Sequence, residues 1–186
     1  RGVGALDVGK AFDLVVGTST GAIIACALAA GVPPARIAEL YKAHGKAIFE
    51  KPLPTGWRLP RLLPRITGRP RALARGTAAL TQALKENFGA LTVGELYRTR
   101  KVALAVPAVD MSQHKGWVFK TAHLEKSNRR DDGYTLVDVC LASSAAPVYR
   151  SLAAVDNRDG VGGHRVFADG GLWANNPVLV GLVDAL

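Results

Sequence analysis

The stretch FDLVVGTSTGAIIACALAAG, at residues 12–31, decides the fold of this chain. Its first apolar run, Phe12 to Val16, is typical of a short buried strand. Its second, Ala22 to Ala30, is typical of a buried helix that ends at Gly31. Between the two runs lie only small residues, Gly-Thr-Ser-Thr-Gly. Three interpretations compete for them: a membrane span with a packing notch, a plain structural turn, or a sharp bend that presents Ser19 as a nucleophile.

The membrane interpretation rests on the uncharged stretch from Leu14 to Val32, which is about long enough to cross a bilayer. Gly17 and Gly21 also have the GxxxG spacing of packed membrane helices. The polar Thr-Ser-Thr centre argues against a span, because without it the longest apolar run, Ala22 to Val32, is too short to cross. We therefore favour a turn between a strand and a helix.

A strand, a tight turn and a helix around G-x-S-x-G form a nucleophile elbow, with the serine at the bend. The residues two before and two after the serine must be small there, and Gly17 and Gly21 meet that need. The helix that opens at Thr20 would support an oxyanion beside Ser19, because the amides of a helix N-terminus favour negative charge. The alternative is a glycine-rich turn that cradles a phosphate.

The remaining sequence alternates strands with helices, which predicts one α/β domain over residues 1–186 with a mainly parallel sheet. Leu80, Leu84 and Phe88 share one face of a predicted helix. The predicted strands are Lys101–Val109, Gly116–Ala122 and Arg165–Ala168. The predicted helices are Ala35–Glu50, Thr77–Phe88, Thr135–Ala146 and one that opens after Asn176 and Pro177.

The composition, 48% hydrophobic and 21% charged, excludes a disordered chain, and the net charge of +9 favours anionic partners. Residues 51–75 contain seven basic residues, five prolines and no acid, which predicts an irregular basic surface segment. Its Arg58, Arg61 and Arg65 are candidates for contact with an anionic membrane surface. No base-reading motif is present, so no nucleic-acid partner is expected. Cys26 and Cys140 have no metal-ligand spacing and suggest buried free thiols in a reducing, cytoplasmic setting.

A nucleophilic serine needs a base, and two candidates lie in the last quarter of the chain. His164, with Asp156 or Asp159 as its acid, would complete a Ser-His-Asp triad. Asp169 ends a predicted strand and precedes Gly170 and Gly171, which let the chain turn and another backbone come close. Asp169 is the better candidate of the two, because catalytic groups collect at the C-terminal edge of a parallel sheet. Taken alone, however, the pattern is explained better by an ordinary Asp-Gly turn.

Three motifs together resemble the patatin-like phospholipases: GTSTGA at 17–22, ASSAAPVY at 142–149 and ADGGLWANNPV at 168–178. VPAVDM at 106–111 and VFKTAH at 118–123 are similar to that family as well. The resemblance implies a three-layer α/β/α sandwich and a Ser-Asp dyad of Ser19 and Asp169. It also implies phospholipase A-type cleavage of lipid esters through an acyl-enzyme, with no metal or other cofactor.

One departure concerns the family's glycine-rich DGGGxRG-type oxyanion loop, which the opening RGVGALDVGK does not match. We expect that loop to precede Arg1, the chain to be truncated at both ends, and residues 1–186 alone to be nearly inactive. Two alternatives to the dyad stay open: an esterase that uses His164, and a non-catalytic lipid-binding module. Ser143 and Ser144 are interpreted as small packing residues. Nothing in the sequence indicates an activator.

Overall fold

The computed structural model describes residues 6–48, 69–147, 150–158 and 162–186. A 3-10 helix, Val8–Ala11, precedes the first strand. The strands are β1 (Leu14–Val16), β2 (Ala103–Asp110), β3 (Lys115–Lys120), β4 (Ala153–Asp156) and β5 (His164–Asp169). The helices are α1 (Thr20–Ala30), α2 (Pro34–Ile48), α3 (Arg69–Phe88), α4 (Val93–Arg100), α5 (Leu136–Ser143), α6 (Gly171–Ala174) and α7 (Val178–Ala185).

The predicted α/β class is confirmed, but the mainly parallel sheet is wrong for the described strands. β1 is parallel to β2, whereas β3 and β5 are antiparallel to β2 and β4 is antiparallel to β5. For the β2–β3 and β4–β5 pairs, the reason is the length of the connections. Residues 111–114 join β2 to β3 and residues 157–163 join β4 to β5, and a parallel crossover needs about a dozen residues.

β1 and β5 lie along the same edge of β2 and approach each other end-on. Ala105 pairs with Val16 of β1 on one side and with β3 on the other. Ala108 pairs with Asp169 of β5 and, again, with β3 on its other side. Since β3 occupies the opposite edge, the ends of β1 and β5 must converge beside Pro107. The residues that follow β1 therefore lie next to the residues at the end of β5.

Small side chains let α1 lie close to its neighbours in the core. Ala22 and Cys26 of α1 are fully buried, and the Cys26 thiol contacts that of Cys140 on α5. Both cysteines are free, as predicted, and burial raises the pKa of Cys140 well above its ordinary value. The core also buries the helix face that the sequence predicted and an aromatic cluster: Leu80, Leu84, Phe88, Trp117, Phe119, Tyr134 and Phe167.

Several elements differ from the sequence prediction, among them the short helix α6 and the 3-10 helix, which were not predicted. α3 begins at Arg69 rather than Thr77, so the end of the 51–75 segment is helical; Pro70 is tolerated because the first turn of a helix needs no proline N–H. α4 was not predicted, although the Thr92–Glu95 capping box marks its start. β4, four residues long, was also missed.

The membrane interpretation of the opening stretch is wrong. Leu14–Val16 is a strand, and α1 begins only at Thr20 and has 11 residues. Across residues 6–48, 69–147, 150–158 and 162–186, the helices include none with both the length and the apolar character required to cross a bilayer.

Candidate active site

Ser19 stands at the bend between β1 and α1, in a backbone conformation that few serines adopt. Its φ of 58° and ψ of −121° lie outside the ordinary strand and helix regions. Such a conformation costs on the order of 1–3 kcal/mol and persists only where the surrounding structure holds it. α1 starts at Thr20, so the first amides of the helix, which have no intrahelical partner, lie next to Ser19. This is the geometry of a nucleophile elbow.

The two glycines of the elbow have different structural roles. A Cβ built on Gly17 would lie 2.2 Å from the carbonyl oxygen of Gly21, so the strand passes the helix too closely for any side chain. A Cβ on Gly21 would meet nothing within 4 Å. The prediction that both positions must be small for the strand to pass the helix therefore applies to Gly17 and is wrong for Gly21. Gly21 leaves open space beside the helix start instead.

Asp169, the last residue of β5, is hydrogen-bonded to Ser19. The Ser19 Oγ donates to Asp169 Oδ2 at 2.6 Å, although the two residues are 150 positions apart. Asp169 Oδ1 accepts the backbone N–H of Gly171 at 2.6 Å, which fixes the orientation of the carboxylate. A Cβ on Gly170 would lie 2.2 Å from the Pro107 carbonyl oxygen, so only glycine lets this turn pass β2. Asp169 itself is buried.

His164 lies at the opposite end of the same strand. Its Nδ1 is 2.8 Å from Asp156 Oδ1, so the predicted acid partner is present, but both side chains are more than 60% exposed. His164 and Asp169 are five positions apart in the strand, which is about 17 Å at about 3.3 Å per residue. The histidine and the elbow are therefore not brought together. Asp159 lies outside the described residues.

The sequence analysis missed two large polar residues near the elbow. The Tyr41 hydroxyl donates to the Thr20 carbonyl oxygen at 3.1 Å, and burial raises the pKa of Tyr41 to about 12. Arg150 is buried, and that burial lowers the pKa of its guanidinium, although the charges of Tyr41 and Asp169 partly offset this shift. Neither residue belongs to a local motif, so only their position in the fold reveals them.

Thr18 is a further residue that the motif did not single out. Its Oγ1 donates to the Ala174 carbonyl oxygen at 2.7 Å, which joins the elbow to α6, directly after the Asp169 turn. The elbow is thereby tied to the turn of Asp169 through the backbone of α6 as well as through the Ser19 hydroxyl.

Two cavities in the described part of the chain lie away from the Ser19 hydroxyl. The larger, of about 300 Å³, is lined by Lys120 and by the loop that follows β3. Its basic groups are largely paired with carboxylates, as in Lys120–Asp184 and Arg130–Asp131. The smaller, of about 130 Å³, contains Arg150 in its lining. Arg58, Arg61 and Arg65, the predicted membrane contacts, lie outside the described residues.

The comparison with known families agrees with this geometry. The profile of the patatin-like phospholipases matches residues 3–182, which is almost the whole chain. The chain belongs to the patatin-like phospholipase family. The match spans both the elbow and the Asp169 turn, so the resemblance of the three sequence motifs to this family is confirmed, and with it the α/β/α class.

Individual relatives of this patatin-like chain come from bacteria and plants. A cGAMP-activated phospholipase of Pseudomonas aeruginosa is 40% identical over 92% of this chain. A cGAMP-activated phospholipase of Vibrio cholerae is 34% identical over 98% of it, and Patatin-like protein 1 of Arabidopsis thaliana is 27% identical over 92%. The aligned regions make up 45%, 48% and 41% of those proteins, so the chain spans about half the length of the curated relatives it matches.

Proposed function

We propose that this chain is the catalytic domain of a serine lipid acyl hydrolase of the phospholipase A type, with Ser19 as nucleophile and Asp169 as general base. The 2.6 Å hydrogen bond from Ser19 Oγ to Asp169 Oδ2 carries the proposal. A nucleophile and its base must lie within hydrogen-bonding reach, and the group within reach of Ser19 Oγ in the described site is a carboxylate rather than an imidazole. Membership of the phospholipase family supports a lipid ester as the substrate.

In the acylation step, Asp169 Oδ2 takes the proton from Ser19 Oγ as the oxygen attacks the ester carbonyl carbon. The carbonyl π electrons move to its oxygen and form a tetrahedral oxyanion. When the intermediate collapses, the bond to the leaving alcohol breaks. Asp169 returns its proton to that alcohol, and Ser19 is left as an acyl ester. The second oxygen of Asp169 stays bound to the Gly171 N–H and keeps the carboxylate aligned.

In the deacylation step, a water molecule repeats this chemistry on the acyl-serine. Asp169 takes a proton from the water, the water oxygen attacks the acyl carbon, and the Ser19–acyl bond breaks. The fatty acid is released and Ser19 Oγ regains its proton from Asp169. The start of α1 would stabilise both oxyanions, because an N-terminal amide such as that of Thr20 has no acceptor within its own helix.

The experiment is fluorophosphonate labelling and lipid-ester hydrolysis by the complete gene product that contains this chain. We expect Ser19→Ala to abolish both signals and Asp169→Asn to lower the labelling rate by a factor of roughly a thousand or more, as for loss of a catalytic base. His164→Ala is the control, because the exposed His164–Asp156 pair should be dispensable. Loss of activity with His164→Ala would instead support the triad. Lipid binding without serine labelling would support a non-catalytic module.

We further propose that a cyclic dinucleotide controls this hydrolysis. The support is the set of relatives whose names state activation by cGAMP, among them the Pseudomonas aeruginosa protein, and an Escherichia coli relative, 31% identical, named for activation by cUMP-AMP. The test is turnover by the complete gene product with cGAMP, with cUMP-AMP and with neither. Equal turnover under all three conditions contradicts control by these two nucleotides and leaves the dyad proposal intact.

A further inference from the structure

Ser143 ends α5 and is fully buried, yet its side chain reaches the nucleophile. Its Oγ accepts the backbone N–H of Ser19 at 2.9 Å and donates to the carbonyl oxygen of Pro107 on β2 at 2.7 Å. A hydroxyl has one donor and two acceptor sites, so it satisfies both contacts at once. The side chain thus bridges the elbow to the central strand. An interpretation of Ser143 as a small packing residue does not account for these two bonds.

The same turn of chain also binds the residue that faces the nucleophile. The backbone N–H of Asp169 donates to the Ala145 carbonyl oxygen at 3.0 Å, and the N–H of Gly170 donates to the Ser143 carbonyl oxygen at 3.1 Å. Residues 143–145 therefore contact both Ser19 and Asp169, which are separated by 150 positions along the chain. These contacts are made by Ser143 and Ala145, and we name this pair the dyad clamp.

The Ser19 backbone needs such a contact. Its positive φ is a conformation that a serine leaves unless neighbouring groups hold it. The hydrogen bond to Ser143 Oγ fixes the peptide that enters the bend, and the bond to Pro107 fixes the hydroxyl that accepts it. β2 also pairs with β5 at Ala108, next to Pro107. The clamp therefore holds Ser19 and Asp169 in place against the same part of one strand.

We propose that Ser143 is a positioning residue that sets the distance and angle between Ser19 Oγ and Asp169 through the backbone of Ser19. It touches neither the reacting oxygen nor the carboxylate, so its effect acts through Ser19. The inference rests on the proposed dyad, because the geometry that it maintains is the geometry that proton transfer requires.

Ser143→Ala tests this role, and Ser144→Ala is a matched control. Ser144 is also a buried serine at the end of α5, but its Oγ donates to the Cys140 carbonyl oxygen within the same helix at 2.7 Å. We expect Ser143→Ala to lower kcat and the labelling rate of Ser19 by roughly tenfold to a hundredfold, with KM nearly unchanged. Ser144→Ala should leave both near the wild-type values. Equal effects of the two substitutions would overturn the proposal.

Ser143→Cys covers the case in which the alanine variant does not fold. Sulfur is a weak acceptor of nearly the same shape, so the fold should survive while kcat falls. Wild-type activity in Ser143→Cys, at a wild-type folded fraction by circular dichroism, would overturn the proposal.

Amide hydrogen exchange separates failure of this proposal from failure of the proposed function. In Ser143→Ala, and not in Ser144→Ala, the Ser19 N–H should exchange at least tenfold faster, whether or not the protein hydrolyses lipids. Unchanged protection of that amide would refute the clamp while leaving the dyad untouched. A wild-type protein that neither reacts with the fluorophosphonate nor hydrolyses lipid esters would refute the dyad. The exchange rate of the Ser19 amide would still test whether Ser143 holds the Ser19 backbone.

Discussion

The glycine pair of the elbow shows how strongly single residues constrain this site. Gly17 lies so close to the Gly21 carbonyl that a methyl group at that position would overlap backbone atoms, which cannot swing aside as a side-chain end can. Gly21, four residues later, has room for a methyl group. Motif spacing alone treats the two glycines as equivalent, whereas the backbone path makes only the first obligatory.

We therefore predict opposite outcomes for the two alanine substitutions. Gly17→Ala should lower the free energy of unfolding by about 3 kcal/mol, because the overlap can be relieved only by moving β1 away from α1. Gly21→Ala should be neutral or stabilising by up to about 1 kcal/mol, because alanine is the better helix former. Urea unfolding followed by circular dichroism measures both. A Gly17→Ala protein as stable as wild type would contradict the assigned close approach.

Local sequence identified both candidate bases and favoured Asp169 because it ends a strand, but it could not show which of the two meets Ser19. GTSTG and DGG each mark a turn, and both turns lie where the sequence indicated. The selection of Asp169 over His164 depends on which end of β5 meets β1, and no local pattern contains that information. Ser143 was missed for the same reason, since its partner lies 124 residues away.

At the scale of elements, α5 matters most because its last residue, Ser143, belongs to the dyad clamp. Its N-terminus is a capping box: the Thr135 side chain accepts the Asp138 N–H, and the Asp138 carboxylate accepts the Thr135 N–H. We predict that Thr135→Ala lowers the free energy of unfolding by about 1 kcal/mol.

Thr99→Ala is the matched control for that substitution. The Thr99 hydroxyl bonds back to the Glu95 and Leu96 carbonyl oxygens within α4, and such contacts add little to a helix. Its loss should change stability by less than about 0.5 kcal/mol. Chemical denaturation measures the free energy of unfolding of both variants. Equal losses would show that the Thr135 cap stabilises the protein no more than the Thr99 contact does.

The second capping box gives a pH dependence with a defined sign. Glu95 accepts hydrogen bonds from the Thr92 backbone N–H and hydroxyl, which lower its pKa below the ordinary value of 4.5. The folded pKa is thus below the unfolded one, so the stabilisation is complete above pH 4.5 and is lost as the pH falls through the folded pKa.

We therefore predict that Glu95→Gln is less stable than wild type at neutral pH and that the difference shrinks on acidification. Thermal unfolding at a series of pH values measures it. Glu125→Gln, which removes an exposed carboxylate outside any helix cap, is the control. Its stability should change with pH in the same way as that of wild type. A Glu95→Gln difference that stays constant down to the acid range would contradict the assignment.

The elements themselves were predicted unevenly, for physical reasons. Long periodic helices and strongly apolar strands were found because burial of one face fixes their pattern. β4 has only four residues, of which Val155 is the one that is buried, so it gives almost no pattern. The direction of the strands depends on loop lengths as well as on the alternation of helices and strands, and the sequence analysis used only the alternation.

At the scale of the whole molecule, the net charge of +9 remains the feature that the site does not explain. We predict salt-sensitive binding to phosphatidylserine vesicles, to which Arg58, Arg61 and Arg65 contribute about 1 kcal/mol each. Reversing these three to glutamate should weaken binding by a factor of a hundred or more.

The control for that experiment is reversal of Arg36, Lys85 and Arg98, three exposed cations that change the net charge by the same amount. Vesicle sedimentation at low and high salt measures both proteins. Equal weakening by the two sets would attribute the binding to overall charge rather than to the segment at 51–75.

Because the ends of β1 and β5 meet, the site combines two residues that the ribosome makes at different times. Ser19 emerges from the ribosome before Asp169, which follows 150 residues later. At about 5–20 residues per second, that interval lasts roughly 8 to 30 s. A nascent polypeptide therefore holds the nucleophile without its base until Asp169 has been translated, so the proposed lipid cleavage cannot begin before that point.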